Sequence, residues 1–160
     1  MAVMNGNNEW TIILLIDILI NEVLQIFILT TTKTNHALNN AIGHIESMVE
    51  DFKKDQQLQE SNDYNQQDEL RESILNSALS VEFRSSWYSS PNEEINPEEF
   101  KILLTWGGPA LRIIGKLDDY GPVNPKLQYQ DWGTLWTDFE ITEDQQKALN
   151  WFCNCFYFGG

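Results

Sequence analysis

The spacing of apolar residues divides the chain into a helical first half and a strand-rich second half. Residues 10–29, WTIILLIDILINEVLQIFIL, are apolar almost throughout, and Asp17, Asn21 and Gln25 recur every four residues with Glu22 beside them. A four-residue recurrence places these polar groups in one stripe on a helix whose other faces are apolar. Thr30 to Asn35 breaks the pattern, and Thr34 or Asn35 suits a helix N-cap. Leu38, Ala41, Ile42, Ile45, Met48, Val49 and Phe52 then follow in steps of three and four, which predicts a helix over 36–58. A short connection between two such helices predicts an antiparallel hairpin, and Gly43 would mark close packing inside it. The polar run 57–67 reads as a loop, and Leu70, Ile74 and Leu75 mark a third, short helix at 67–78.

From Ser80 the period becomes two. Val81, Phe83 and Trp87 alternate with Glu82, Arg84 and Ser86, which suits a half-buried strand. Ser89 to Asn92 reads as a turn. Phe100, Ile102, Leu104 and Trp106 share a face of the next strand, and Gly107-Gly108-Pro109 turns the chain. Leu111–Leu117 forms a third strand with Arg112, Ile114 and Lys116 on its second face. Asp118 to Gly121 is a hairpin loop. Lys126–Trp132 returns as a fourth strand, which Gly133–Phe139 continues after a bulge. Thr142 with Gln145 has the form of a capping box opening a last helix at 143–156, whose buried face is Ala148, Leu149, Phe152, Cys153 and Phe156. The fold class is therefore α+β: an N-terminal helical hairpin, a short helix, a four-stranded antiparallel sheet and a C-terminal helix. A length of 160 residues suits one domain, with a helical part over 8–78 and the sheet and last helix over 79–160.

Charge narrows the function. The chain carries 24 acids against 10 bases, a formal net charge of −14. Such a surface repels nucleic acid backbones, so direct nucleic acid binding is disfavoured and a basic protein partner is favoured. Residues 46–99 hold 14 of the acids and 4 of the bases. Glu46, Glu50 and Asp51 share about one helical side, Asp55 extends it, and Asp68, Glu69 and Glu72 follow, with Glu93 and Glu94 near Pro97. A solvated face is the plain reading of such a run. The sharper one is a phosphate-mimicking array that fits a basic groove. Trp106 and Trp132 serve either core packing or apolar anchoring of that partner.

No catalytic residues, cofactor or metal ligands are expected. His36 and His44 have no metal-ligand spacing around them. Cys153 and Cys155 read as one core and one semi-exposed residue, in a reducing cytoplasm. Asp131 could be a general acid, but no second group accompanies it; acceptance of hydrogen bonds from the Gly107-Gly108 turn, or pairing with Arg112 or Arg84, is the simpler expectation. For 10–29, about fifteen apolar residues contribute roughly −4 to −9 kcal/mol to membrane insertion and Asp17 with Glu22 about +5 to +7, so a buried helix without a membrane is the reading carried.

The segments SVEFRSSW (80–87), EEFKILLTWGGPALRIIGKLDDYG (98–121), LQYQDWGTLW (127–136) and FYFG (156–159) resemble a group of small uncharacterised proteins of bacteriophages and mobile elements. The resemblance covers about half the chain, 80–159. It implies a protein carried by elements that must survive host defences, where acidic proteins look like antirestriction and anti-CRISPR inhibitors, several of which imitate DNA or RNA. The expected function is non-enzymatic inhibition of a nucleic-acid-targeting complex, a CRISPR effector or restriction enzyme, through Glu46, Glu50, Asp51, Asp55, Asp68, Glu69, Glu72, Glu93, Glu94, Trp106 and Trp132. Two alternatives stay open: a structural protein forming homo-oligomers through its N-terminal helices, and a small-ligand-binding domain using Trp106, Asp131 and Trp132.

Overall fold

The structure is a computed structural model that describes residues 7–85, 87 and 96–158, and within the first helix the side chains of 15–26 and 36–60. Glu93, Glu94 and the turn expected at 89–92 lie outside the described residues. Its elements run α1 (Asn7–Glu60), α2 (Tyr64–Ser77), β1 (Ser80–Arg84), β2 (Glu99–Thr105), β3 (Ala110–Asp118), β4 (Gly121–Gln130), β5 (Thr137–Asp138) and α3 (Glu143–Asn154). The class is α+β, as the change of apolar period predicts. The chain divides into two compact units, residues 1–35 and 36–160.

The expected hairpin is absent, because α1 runs through residues 30–35 without a break. Threonine and asparagine each cost a helix only a few tenths of a kcal/mol relative to good formers, and no Gly or Pro stands there to stop it. Gly43, where close packing is expected, has open space where a Cβ would lie. The loop expected over 57–67 shrinks to three residues, since α1 extends to Glu60 and Asp63 caps α2 by accepting the Gln66 backbone N–H.

In the first unit the described side chains, 15–26, are all exposed. Leu15, Ile16, Ile18, Leu19, Ile20, Val23, Leu24 and Ile26 are among them, each at least 49% accessible. The expected buried helix is therefore not seen in this chain alone. Among the described residues no helix is long and apolar enough to cross a membrane.

In the second unit the strands form one antiparallel sheet in the order β1-β2-β3-β4-β5. Phe100, Ile102 and Leu104 of β2, Leu111 and Ile113 of β3 and Leu127 of β4 join Ala41, Ile45 and Met48 of α1, Leu70 and Ile74 of α2, and Leu149, Phe152 and Cys153 of α3 in one core. Helices thus cover one face of the sheet, as strict alternation along β2 demands. The capping box forms as expected: Thr142 Oγ1 accepts the Gln145 N–H and Gln145 Oε1 accepts the Thr142 N–H.

The sheet has five strands, not four. Residues 137–138 fold back beside β4, with Gln128 opposite Asp138 and Tyr129 opposite Thr137. A turn at 131–134 forces the reversal: the Asp131 carbonyl accepts the Thr134 N–H, the Asp131 carboxylate accepts the Trp132 N–H, and Gly133 sits at φ +75°. Asp131 is thereby a turn-forming acceptor, and among the described residues it bonds neither the Gly107-Gly108 turn nor an arginine.

Gly115 of β3 permits one close approach. A Cβ there would lie 2.5 Å from Phe100, a ring of the core that packs against Phe158 with centroids 4.7 Å apart and planes tilted by 46°. Gly115→Ala must displace that ring, and urea denaturation is expected to show a loss of about 1–3 kcal/mol. An unchanged midpoint would mean that the ring moves without cost.

Candidate functional site

The sheet face opposite the helices is a groove of about 770 Å³, and it gathers Arg84, Lys101, Arg112, Lys116 and Lys126. These are five of the ten Lys and Arg of the chain. Strand register explains the gathering. Lys101 stands opposite Ile114, and Ile114 opposite Lys126. Arg112 and Lys116 lie two residues to either side of Ile114 on β3, so they share its face. Ile114 is therefore the centre of a cross of four cations. From sheet spacings, the cross-strand arms stand about 10 Å apart at the backbone and the along-strand arms about 13 Å.

The arms differ in their partners. Lys101 pairs with Glu82 at 2.8 Å, and Lys126 with Asp138 at 2.8 Å. Both carboxyls are held below their usual range, Glu82 first by the Lys101 hydrogen bond and Asp138 first by that of Lys126, with Gln128 adding to the latter. Arg84 pairs with Glu99 at the outer edge. Arg112 and Lys116 have no ion-pair partner among the described residues. Arg112 is nonetheless held in place: its Nε donates to Gln128 Oε1 at 2.8 Å, and its Cζ lies 4.0 Å from the centroid of the Trp136 ring. Burial pushes its guanidinium pKa down, and a guanidinium remains protonated regardless. The groove thus holds a fixed, partly desolvated cation without a carboxylate.

Aromatic residues crowd the nearby turns. Trp106 and Trp132 are 79% and 72% exposed, so neither packs in the core. A Cβ on Gly108 would fall 1.8 Å from Trp132 Cδ1, so the indole rests directly on that glycine. The groove lies on the open sheet face, and Trp106, Asp131 and Trp132 do not line it.

No family model matches the chain, and neither a curated protein nor a solved structure matches it. The site therefore rests on its own geometry.

The acids separate into two sets. Glu46, Glu50, Asp68, Glu69 and Glu72 are exposed on α1 and α2, and none has an ion-pair partner among the described residues. Asp51 is half-buried, and burial raises its carboxyl above the usual value, with Lys54 opposing and Glu50 adding. Asp55 is not part of an exposed array. It is 5% accessible and accepts hydrogen bonds from Gln67 Nε2 of α2 at 2.9 Å and Trp151 Nε1 of α3 at 3.1 Å. Its helical spacing placed it at the margin of the acidic side, and the packing of α2 and α3 covers that margin.

Among the described residues no group of three or more His, Cys, Asp or Glu is placed to hold a metal ion. His44 is half-buried, which lowers its pKa, while His36 is exposed. Cys153 is buried and its thiol is pushed up by burial, and Cys155 is partly covered. Sequence reasoning placed Arg112, Ile114 and Lys116 on one face but missed Lys101 and Lys126. Each strand's alternation contained the signal; the order and register of the strands were needed to add it up.

Proposed function

We propose that the protein is a non-enzymatic inhibitor of a nucleic-acid-targeting host defence complex, docking the acidic surface of α1 and α2 in its partner's basic groove. What supports this is a set of exposed, unpaired carboxylates. Glu46, Glu50, Asp68, Glu69 and Glu72 are exposed on α1 and α2 and have no ion-pair partner among the described residues. They outnumber the three cations of those helices described with side chains, Lys53, Lys54 and Arg71. Carboxylates in that state keep their full field, which steers a cationic partner and weakens with salt. The buried Asp55 is excluded from the contact surface, and the exposed Trp106 and Trp132 supply apolar anchors.

The test is inhibition of DNA cleavage by a restriction enzyme or an RNA-guided nuclease. Replacing Glu46, Glu50, Asp68 and Glu69 together by lysine is expected to weaken inhibition by at least about a hundredfold, several lost charge pairs at about 1 kcal/mol or more each, while thermal unfolding stays cooperative. Inhibition that is equal at low and high salt, or unaffected by the reversal, sinks the reading.

A second reading has its own observation. The eight large apolar side chains exposed between Leu15 and Ile26 suit a homo-oligomer formed by this segment of α1.

A further inference from the structure

We infer that the cation cross around Ile114 is a binding site for a small phosphorylated ligand of nucleotide class. The open groove measures about 770 Å³, within the roughly 300–1,000 Å³ of pockets that hold small molecules. Its four central cations surround Ile114, and the two carboxylates that also line the groove, Glu82 and Glu99, are each paired with a cation, Lys101 and Arg84. The charge left over is that of Arg112, Lys116 and Lys126 around a planar or apolar body at the centre. Arg112 supplies the directional contact. Its Nε is already committed to Gln128, its plane is set against Trp136, and its two terminal nitrogens have no partner among the described residues. A fork fixed in this way matches two oxygens of one phosphate. Lys116 offers a second, mobile charge farther along β3, without an ion-pair partner among the described residues.

Lys101 and Lys126 are tethered sideways to Glu82 and Asp138, which holds their charge at the rim of the floor. Ile114 and Phe83, both lining the groove, give a base apolar surface to lie on, while the Trp136 ring backs Arg112. The size limit comes from the rest of the molecule. With a net charge of −14, every phosphate that extends beyond the groove meets repulsion. A short ligand whose charges all lie within the cross avoids that cost, and a long nucleic acid does not.

The test is calorimetric titration of the full chain at low salt with ATP, the 5′-phosphorylated dinucleotide pApA, pyrophosphate, a hexaglutamate peptide and a single-stranded DNA of about twenty nucleotides. ATP or pApA is expected to bind most tightly, and Arg112→Gln and Lys116→Gln are each expected to weaken it by about tenfold or more. Lys147→Gln, which removes a cation of α3 paired with Glu143 and Asp144, should leave it unchanged. If Arg112→Gln fails to fold, Lys116→Gln decides alone, because that side chain is exposed. Absence of nucleotide binding at about 1 mM, the millimolar limit of weak association, overturns the inference. So do unchanged affinities in the variants, equal binding of pyrophosphate or hexaglutamate, and tighter binding of the long DNA.

Discussion

Asp55→Ala is expected to destabilise the 36–160 unit by about 3–6 kcal/mol, two hydrogen bonds to a buried carboxylate at about 1.5–3 kcal/mol each, more than any other single substitution of a charged residue in it. The carboxylate connects three helices. It accepts from Gln67 of α2 and Trp151 of α3, and it stands 3.8 Å from Arg71 Nε. Gln67 is 8% accessible and would be left with an unsatisfied amide, at a cost of about 1–3 kcal/mol. The indole N–H of Trp151 would lose its acceptor as well. Arg71 adds little, since its side chain is half exposed and solvent screens the pair. Thermal unfolding should show a midpoint lower by roughly 10 °C or more, at a few degrees per kcal/mol for a unit of this size. Asp55→Asn keeps one acceptor oxygen and should lose less than the alanine variant. Equal loss in both would mean that charge, not hydrogen bonding, is what the hub supplies. A midpoint within a degree of the parent for Asp55→Ala would show that the three helices hold together without it.

Removal of residues 1–34 is expected to abolish self-association while leaving the sheet unit folded. Every described buried apolar residue lies between Ala37 and Phe158. The described side chains of the first unit, 15–26, contribute none, and Leu15, Ile16, Ile18, Leu19, Ile20, Val23, Leu24 and Ile26 among them are exposed. Side chains of this kind gain about 1.5–3 kcal/mol each when buried from full exposure, and these are about half exposed, so eight of them gain on the order of 6–12 kcal/mol per chain and 12–24 kcal/mol for a pair. Association costs about 4–15 kcal/mol, so burial between two copies exceeds the cost over most of that range. The stripe of Asp17, Asn21 and Gln25 tolerates such packing if it faces water, and the Asn21 amide is already bonded to the Asp17 carbonyl at 2.9 Å. Light scattering should give a multiple of the chain mass for the whole protein and a single chain mass for residues 35–160, with Asn35 left as a helix N-cap. Thermal midpoints should agree within a few degrees. A monomeric full chain refutes the oligomer; a truncated chain without cooperative unfolding refutes the independence of the core.

Truncation and the charge reversal together separate the functional readings. Charge reversal on α1 and α2 acts on the inhibitor surface and leaves self-association intact, whereas truncation does the opposite. Substitutions at Arg112 and Lys116 touch neither the acidic helices nor the exposed apolar segment.

Local pattern carried far in this chain. Alternation along 99–105 determined which side chains of β2 enter the core, because a strand's period of two leaves no other choice once one face is covered. Thr142 and Gln145 determined where α3 begins, because the reciprocal cap needs only those residues at that spacing. The excess of acids, and the division of Cys153 from Cys155 into core and rim, were legible for the same local reason. Tertiary structure alone decided the rest. Asp55 sits at the edge of a helical face, and only the arrival of α2 and α3 turned an acid of the array into a buried acceptor. The four cations around Ile114 come from three strands, each carrying one or two at unremarkable positions. Their convergence depends on which strands are neighbours and in what register, and a backbone ladder sets that between residues far apart in the chain.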